Sequence, residues 1–218
     1  MKTLVKICGI TNLEDARTAT AAGADFLGFI FVPGTPRCVT PAVAAAIIRA
    51  LQSPPIQNPK FKIQNPPIPR FIGVFQDVAE TEILSTVDFC GLDLIQLHGG
   101  ESEALVRSLG PDRCWKMISL RSPQDVEVAV AHPAAAVLVD AEVGAQRGGT
   151  GRTCDWDLAA ALAERRRTVL AGGLTPENIA AAVRRVRPWA VDVSSGVEAA
   201  KGKKDPAKIR ALLAALAG

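Results

Sequence analysis

The sequence lacks the long apolar runs of a membrane protein and the cysteine patterns of a secreted one. Its longest uninterrupted apolar stretches, such as residues 42–48, fall far short of the roughly 18 residues that a membrane-spanning helix needs. No cationic segment leads into an apolar one near Met1, so we expect no secretory signal. The five cysteines are scattered and form no CxxC pair, which indicates neither a disulfide framework nor a zinc site. We therefore expect a cytoplasmic protein that binds no metal and no membrane.

Charge of one sign and histidine are also scarce. The 25 basic and 22 acidic residues leave a net charge of +3, too small to indicate a nucleic-acid partner. The basic run 201–204 is followed by Asp205, and we interpret it as a solvated surface loop. The only histidines are His98, beside a predicted strand end, and His132, in a predicted surface turn. They do not suggest a Ser-His-Asp or Cys-His nucleophile set.

The pattern along the chain is an eightfold alternation of short apolar runs with longer helical segments. The runs are nearly continuous rather than alternating, which is typical of parallel strands covered on both faces. Helix starts are indicated by Asn12, Thr40-Pro41, Ser122-Pro123 and Thr175-Pro176. The predicted strands are residues 4–10, 25–31, 71–76, 92–97, 114–119, 136–140, 168–171 and 190–193.

Eight such units leave two architectures, a closed (β/α)₈ barrel and a doubly wound open sheet. The count favours the barrel, as do the glycines and polar residues that follow the predicted strand ends. We predict one α/β barrel domain spanning residues 1–218. Six of the fifteen prolines fall in residues 53–69, and we predict a flexible loop inserted there between helix 2 and strand 3. A proline-rich docking motif is the alternative for this segment. Without the 17 residues the chain has 218 − 17 = 201, near the minimum for this barrel.

Glycine-rich segments follow the last three strands and indicate a phosphate site. Glycine lets backbone N–H groups approach an anion, and the loops after strands 7 and 8 are the usual phosphate cradle of this barrel. A tight βα turn is the alternative for any one of these segments. We predict phosphate binding by Gly172, Gly173, Ser194, Ser195 and Gly196, and note a third segment at residues 147–152.

Cys8 and Asp140 are the candidate proton-transfer groups, because each lies near the carboxyl end of a predicted apolar strand. Cys8 could be only a small buried hydrophobe. To act as a base near pH 7, its pKa of about 8.5 must fall by roughly 1.5 units, through Lys6 or through the substrate. Asp140 could pair with a buried cation instead, and as an acid its pKa must rise by about 3 units.

Arg37 and Asp192 are the candidate substrate ligands. Arg37 follows the second strand, where a guanidinium can hold a carboxylate in a bidentate fork, or can be an exposed loop arginine. Asp192 lies within the eighth strand. Its carboxylate could bind a hydroxyl from the barrel interior, or could pair with Lys6 or Arg37.

In these motifs the sequence resembles the phosphoribosylanthranilate isomerase family of tryptophan biosynthesis, over residues 2 to about 204. The matching segments are KICGIT at 6–11, GFIF at 28–31 with Pro36-Arg37, QLHG at 96–99, Asp140 with GGTG at 148–151, AGGL at 171–174 and VDVSSGVE at 191–198. Two departures stand out. The 53–69 expansion is not part of the family pattern, and Thr35-Pro36 replaces a serine often found before the arginine.

The resemblance implies a cofactor-free barrel that performs an Amadori rearrangement. Asp140 would be the general acid that opens the furanose ring, and Cys8 the general base that removes the sugar C2 proton. Arg37 would hold the anthranilate carboxylate, Asp192 would contact the sugar, and the glycine-rich loops would hold the phosphate. His98 would be structural and line the barrel mouth.

The implied partner is a small anionic phosphosugar-anthranilate substrate, with no nucleic acid and no membrane, bound by a monomer or homodimer. The nearest rival is the histidine-pathway isomerase, which performs the same rearrangement on a different base and for which a resemblance would imply two aspartates. Cys8 and the single anthranilate-type arginine argue against it. A secondary activity on that substrate stays open. A second rival is a non-catalytic phosphate-binding barrel.

Overall fold

A computed structural model describes residues 2–53, 67–140 and 156–217 of the chain. Eight parallel strands close into a barrel in chain order, with β1 paired to β8, as predicted. The predicted bounds of β6, β7 and β8 are confirmed, whereas β1 ends at Cys8, two residues before its predicted end. The strands are β1 Leu4–Cys8, β2 Phe26–Ile30, β3 Arg70–Phe75, β4 Leu94–Leu97, β5 Cys114–Met117, β6 Ala136–Asp140, β7 Thr168–Ala171 and β8 Ala190–Val193.

Helices follow the strands around the outside of the barrel. Asn12, Thr40 and Ser122 cap three of them with side-chain oxygens, as the sequence predicts. In the described ranges the α-helices are α1 Leu13–Ala22, α2 Pro41–Gln52, α3 Glu80–Cys90, α4 Glu103–Leu109, α5 Pro123–Ala131, α6 Trp156–Ala163, α7 Ile179–Val186 and α8 Pro206–Ala217. None of these helices is long and apolar enough to cross a membrane.

The predicted start of the seventh helix at Thr175-Pro176 is wrong by three residues. The Asn178 side chain accepts from the Thr175 N–H and donates to the Gly173 carbonyl, at 2.8 and 2.9 Å. These bonds hold residues 176–178 in a turn, and α7 begins only at Ile179. Asn178 thereby ties the start of α7 to the glycine loop after β7.

Two apolar layers hold the barrel together. The larger lies between the strands and the helices, and the smaller fills the barrel interior around Phe26, Trp115 and Leu138. Phe26 meets Trp115 edge-to-face at 5.0 Å between ring centroids. Because this cluster fills the barrel interior, the polar inward-facing residues lie nearer the carboxyl ends of the strands.

The prediction that residues 201–204 form a solvated loop is wrong for Lys204. A short antiparallel hairpin follows β8, formed by β9 (Glu198–Ala200) and β10 (Lys203–Lys204). Lys204 is only 1% exposed because its ammonium pairs with Glu198 and bonds to the Ser194 carbonyl. Lys201 and Lys203 are exposed, as expected.

The proline-rich segment lies mostly outside the described residues, at 54–66. The described chain places it where the sequence predicts, since α2 ends at Gln52 and β3 begins at Arg70. The glycine-rich run at 147–152 also lies outside the described residues. Its predicted contribution to the phosphate site stays a prediction.

Candidate active site

A cavity of about 400 Å³ opens at the carboxyl ends of the strands, where barrel enzymes carry their sites. All nine residues singled out from the sequence line it: Cys8, Arg37, Asp140, Gly172, Gly173, Asp192, Ser194, Ser195 and Gly196. The described residues contain no cluster of carboxylates, cysteines and histidines that could hold a metal ion.

The alternation of side chains along β1 directs both Lys6 and Cys8 into the barrel. Gly28 on the adjacent strand makes room for them, since a Cβ there would lie 2.8 Å from the Cys8 sulfur and 2.9 Å from Lys6 Cε. Close packing against Cys8 and Lys6 therefore explains why the family motif has glycine at position 28. Any larger residue would displace the cysteine or the lysine.

Lys6 is fully buried and lies between two acceptors. Its ammonium is 2.8 Å from Asp192 Oδ2 and 2.7 Å from Gln96 Oε1. Burial alone would lower the pKa of Lys6, but Asp192 and the neighbouring Cys8 outweigh it, so the pKa is raised and the lysine stays charged. Of the alternatives for Asp192, the pairing with Lys6 is present. Its second oxygen, Oδ1, is buried without a hydrogen-bond partner among the described residues.

The surroundings of Cys8 favour the thiol. Burial and the negative charge of Asp192 raise the pKa of Cys8, while Lys6 and Lys204 lower it by less. Lys6 therefore does not supply the ionisation that a base requires near pH 7. The sequence analysis considered Lys6 and the substrate as groups that could lower the pKa of Cys8, and only the substrate remains.

Gln96 connects Lys6 to His98. Because the Gln96 oxygen accepts from Lys6, its amide nitrogen faces His98 Nδ1, at 3.2 Å, and donates to it. Burial is the main cause of a lowered His98 pKa, so the ring is neutral at pH 7 and carries its proton on Nε2. His98 lines the cavity mouth, as expected from the sequence.

Arg37 is held in a bidentate ion pair rather than left as a loose loop arginine. Its Nε and Nη2 donate to the two carboxylate oxygens of Glu198, each at 2.7 Å. Both partners are largely enclosed, with side chains 22% and 6% exposed. The guanidinium therefore has a fixed orientation at the cavity wall.

The glycine loop after β7 and the serine loop after β8 touch one another and form a single concave surface. Gly172 and Gly173 have φ of +91° and +57°, a backbone conformation that other residues rarely adopt. A Cβ on Gly196 would lie 1.8 Å from the Leu174 carbonyl oxygen, so only glycine allows this contact. The Ser194 hydroxyl is buried with no partner among the described residues.

Asp140 is the last residue of β6, and its partner in register is Ala171 on β7. Its side chain is exposed at the cavity, whereas Cys8 on β1 is buried. Strands β7 and β8 separate the two residues around the barrel. The two candidate proton-transfer groups thus face one cavity from different strands.

Comparison with known proteins identifies a family whose sequences match this chain. The profile described as N-(5'phosphoribosyl)anthranilate (PRA) isomerase matches residues 5–215. An N-(5'-phosphoribosyl)anthranilate isomerase of Pelobacter propionicus is 49% identical over 206 residues, covering 94% of this chain and 91% of the relative. This chain belongs to the phosphoribosylanthranilate isomerase family.

Solved structures of the phosphoribosylanthranilate isomerase family share the fold closely. The enzyme of Thermotoga maritima superposes with a TM-score of 0.82 at 37% identity, covering 99% of both chains. A family structure in complex with reduced 1-(o-carboxyphenylamino)-1-deoxyribulose 5-phosphate superposes with a TM-score of 0.81 at 36% identity, again covering 99% of both. The family and the barrel expected from the sequence are therefore confirmed.

Four residues around this isomerase cavity were not assigned a role from the sequence: Gln96, Asn178, Glu198 and Lys204. Gln96 and Glu198 lie inside the family motifs, so their positions were visible but their partners were not. Arg37 and Glu198 are 161 residues apart, and the pair forms only when β2 and the hairpin after β8 meet. Asn178 and Lys204 had no signal that distinguished them from surface polar residues.

Proposed function

We propose that Asp140 and Cys8 carry out the two proton transfers of this isomerase. The reaction is the Amadori rearrangement of N-(5-phosphoribosyl)anthranilate to 1-(2-carboxyphenylamino)-1-deoxyribulose 5-phosphate, a step of tryptophan biosynthesis. The observation that carries the assignment is the convergence of Cys8 and Asp140 on the cavity that also contains the glycine and serine loops. An acid, a base and an anion cradle in one cavity are what this rearrangement needs.

In the first step the protonated Asp140 carboxyl donates to the furanose ring oxygen. The C1–O bond breaks as the anthranilate nitrogen forms a double bond to C1, giving an open-chain Schiff base. With the substrate bound, the Cys8 thiol releases its proton to solvent. The thiolate then takes the proton from C2, and the electron pair moves to give an enolamine. Protonation at C1 and loss of the O2 proton give the ketone, and Asp140 returns to its starting state by exchange with solvent.

The remaining site residues bind the substrate. Arg37 holds the anthranilate carboxylate, because a guanidinium matches a carboxylate in a bidentate fork. The unpartnered Oδ1 of Asp192 accepts from a sugar hydroxyl, while its Oδ2 stays on Lys6. The phosphate binds at Gly172, Gly173, Ser194, Ser195 and Gly196, where the Ser194 hydroxyl is available as a donor.

We also propose a partner, a compartment and an oligomeric state for this enzyme. The partner is a small anionic substrate rather than nucleic acid, and the enzyme acts in the cytoplasm. We expect a monomer or a homodimer, and light scattering on the purified chain distinguishes the two.

The test is a fluorescence assay of phosphoribosylanthranilate consumption by the purified chain, with the histidine-pathway substrate assayed beside it. We expect turnover of the anthranilate substrate, abolished to background in a Cys8→Ser/Asp140→Asn double variant that still folds. A double variant with wild-type turnover would remove both assignments. Binding of ribose 5-phosphate without turnover by the wild type would support the non-catalytic barrel instead.

A further inference from the structure

The ion pair between Arg37 and Glu198 occupies one edge of the guanidinium. Glu198 accepts from Nε and Nη2, which together form the side-on edge. Nη1 has no hydrogen-bond partner within the described part of the chain, so the end-on edge of Nη1 and Nη2 is left for a second carboxylate. A guanidinium can serve two carboxylates in this way because its five donors are arranged in a fixed plane.

Glu198 is itself held from three sides. Its Oε1 accepts from Arg37 Nε, from Lys204 Nζ at 3.1 Å and from the Gly202 N–H at 3.3 Å. Glu198 is the first residue of β9 and Lys204 the last of β10, so the hairpin brings the two together. A carboxylate with this many donors has a defined position and cannot rotate freely.

Lys204 adds a positive charge to the pair of Arg37 and Glu198. Arg37 and Glu198 alone sum to zero, and a neutral pair would attract an anionic substrate poorly. The buried Lys204 brings the sum of the three residues to +1, which matches one carboxylate. Its ammonium also bonds to the Ser194 carbonyl at 3.1 Å, joining this cluster to the proposed phosphate cradle.

Two close backbone contacts seat the Arg37 loop against the rest of the site. A Cβ on Gly9 would lie 2.7 Å from Arg37 Cδ, and a Cβ on Gly202 would lie 2.7 Å from the Pro36 carbonyl oxygen. Gly9 adjoins Cys8, and Gly202 lies in the hairpin turn between Glu198 and Lys204. The arginine stem is therefore packed between the strand that carries Cys8 and the hairpin that carries Glu198.

We propose that Glu198 is a positioning residue that selects the carboxylate of the substrate through Arg37, with Lys204 as its compensating charge. By taking the side-on edge, Glu198 turns the end-on edge of Arg37 towards the cavity. This inference rests on the proposed role of Arg37 as the carboxylate ligand. It adds the residue that gives the arginine its direction and the lysine that gives the cluster its net charge.

The first experiment compares Glu198→Gln with wild type in steady-state kinetics and in inhibition by two fragments. Anthranilate probes the carboxylate contact, and ribose 5-phosphate probes the phosphate cradle. We expect KM for phosphoribosylanthranilate and Ki for anthranilate each to rise about tenfold, the scale of one hydrogen bond to a charged group. We expect Ki for ribose 5-phosphate to stay within about twofold. Equal weakening of both fragments would indicate a merely structural role and overturn the proposal.

Glu127→Gln is the matched control. Glu127 also forms a bidentate pair, with Nη1 and Nη2 of Arg165, but on the exposed outer surface of the barrel, where such a pair contributes little. We expect both Ki values of this variant to match wild type. If Glu198→Gln does not fold, Glu198→Asp keeps the charge and shortens the side chain by one methylene. It should raise Ki for anthranilate alone; equal weakening of both fragments, or an unchanged Ki for anthranilate, would again overturn the proposal.

A double-mutant cycle separates this proposal from the assignment of Arg37. If Glu198 acts through Arg37, then Glu198→Gln has no further effect on KM in an Arg37→Ala background. Multiplicative effects of the two substitutions would overturn the proposal while leaving Arg37 as the ligand. An Arg37→Ala variant with unchanged KM would instead remove the proposed role of Arg37, and with it the basis of this inference.

Discussion

Lys6 and Asp192 face one another across the β1–β8 pair and form a buried ion pair of 2.8 Å. The pair bonds to Gln96 on one side and lies beside Cys8 on the other. Asp192 raises the pKa of Cys8 and Lys6 lowers it, so the two charges act on the thiol in opposite directions. The proposed base and the proposed sugar ligand are therefore coupled through one lysine.

Replacing Lys6 with methionine should destabilise the fold strongly. Asp192 would then be a buried carboxylate without its cation, and breaking a buried pair from one side typically costs about 3–5 kcal/mol. Urea unfolding of Lys6→Met measures the loss. The Lys6→Met/Asp192→Asn double variant is the control, because it removes both charges and should recover part of the stability. A single variant as stable as wild type would show that the pair does not stabilise the barrel.

The proton-transfer roles proposed for Cys8 and Asp140 predict large losses of turnover from small substitutions. We expect Cys8→Ser and Asp140→Asn each to lower kcat by at least about 10²-fold, the low end for a general acid or base, while circular dichroism stays native. Cys38→Ser is the matched control for the cysteine, since Cys38 is exposed and does not line the cavity. Near-normal turnover in either variant would exclude that residue from the mechanism.

The raised pKa of Cys8 predicts how its alkylation depends on pH. Only the thiolate reacts with iodoacetamide, and a pKa above the ordinary thiol value keeps its fraction small up to pH 8. The labelling rate at Cys8, followed by mass spectrometry, should rise about tenfold from pH 7 to pH 8 without a plateau. Asp192→Asn removes a charge that raises this pKa and should speed labelling at pH 7. A plateau below pH 8 in the wild type would mean that Lys6 outweighs burial.

The sequence predicted the barrel and its cavity well because both follow from local patterns. Continuous apolar runs gave the bounds of β6, β7 and β8, and the residues after strand ends converge because parallel strands in a barrel end on one face. Asn12 and Thr40 cap their helices through bonds that span only three residues. Strands and helix caps of this kind depend only on residues that are close together in the sequence.

Pairings between distant segments could not be predicted in the same way. Lys204 lies in a basic run that looks the same whether its side chains face solvent or a buried carboxylate. Its burial depends on Glu198, which in turn depends on Arg37 from the other end of the chain. The direction in which the pKa of Cys8 shifts could not be predicted from the sequence either. It depends on burial and on Asp192 rather than on the neighbouring Lys6 alone.

Shortening the proline-rich segment should leave the reaction unchanged. The segment connects the end of α2 to the amino end of β3, and these two described ends lie on the face opposite to the cavity. Replacing residues 54–66 with a short glycine-serine linker should therefore leave kcat and KM within about twofold, because that face of the barrel serves stability rather than catalysis. The control is thermal unfolding of the same variant. A large loss of kcat in a variant that unfolds at the wild-type temperature would show that the segment reaches the site.

Gly196→Ala should weaken phosphate binding, because the contact between the two cradle loops leaves no room for a methyl group. The added Cβ would lie 1.8 Å from the Leu174 carbonyl oxygen, so the loops after β7 and β8 must separate. We expect Ki for ribose 5-phosphate to rise about tenfold or more, as hydrogen bonds to the phosphate are lost, and stability to fall by about 1–3 kcal/mol. Gly100→Ala is the matched control, since a Cβ there would meet only Asp77 Oδ1 at an ordinary 3.6 Å. If Gly196→Ala bound ribose 5-phosphate as tightly as Gly100→Ala, the phosphate would have to bind elsewhere in the cavity.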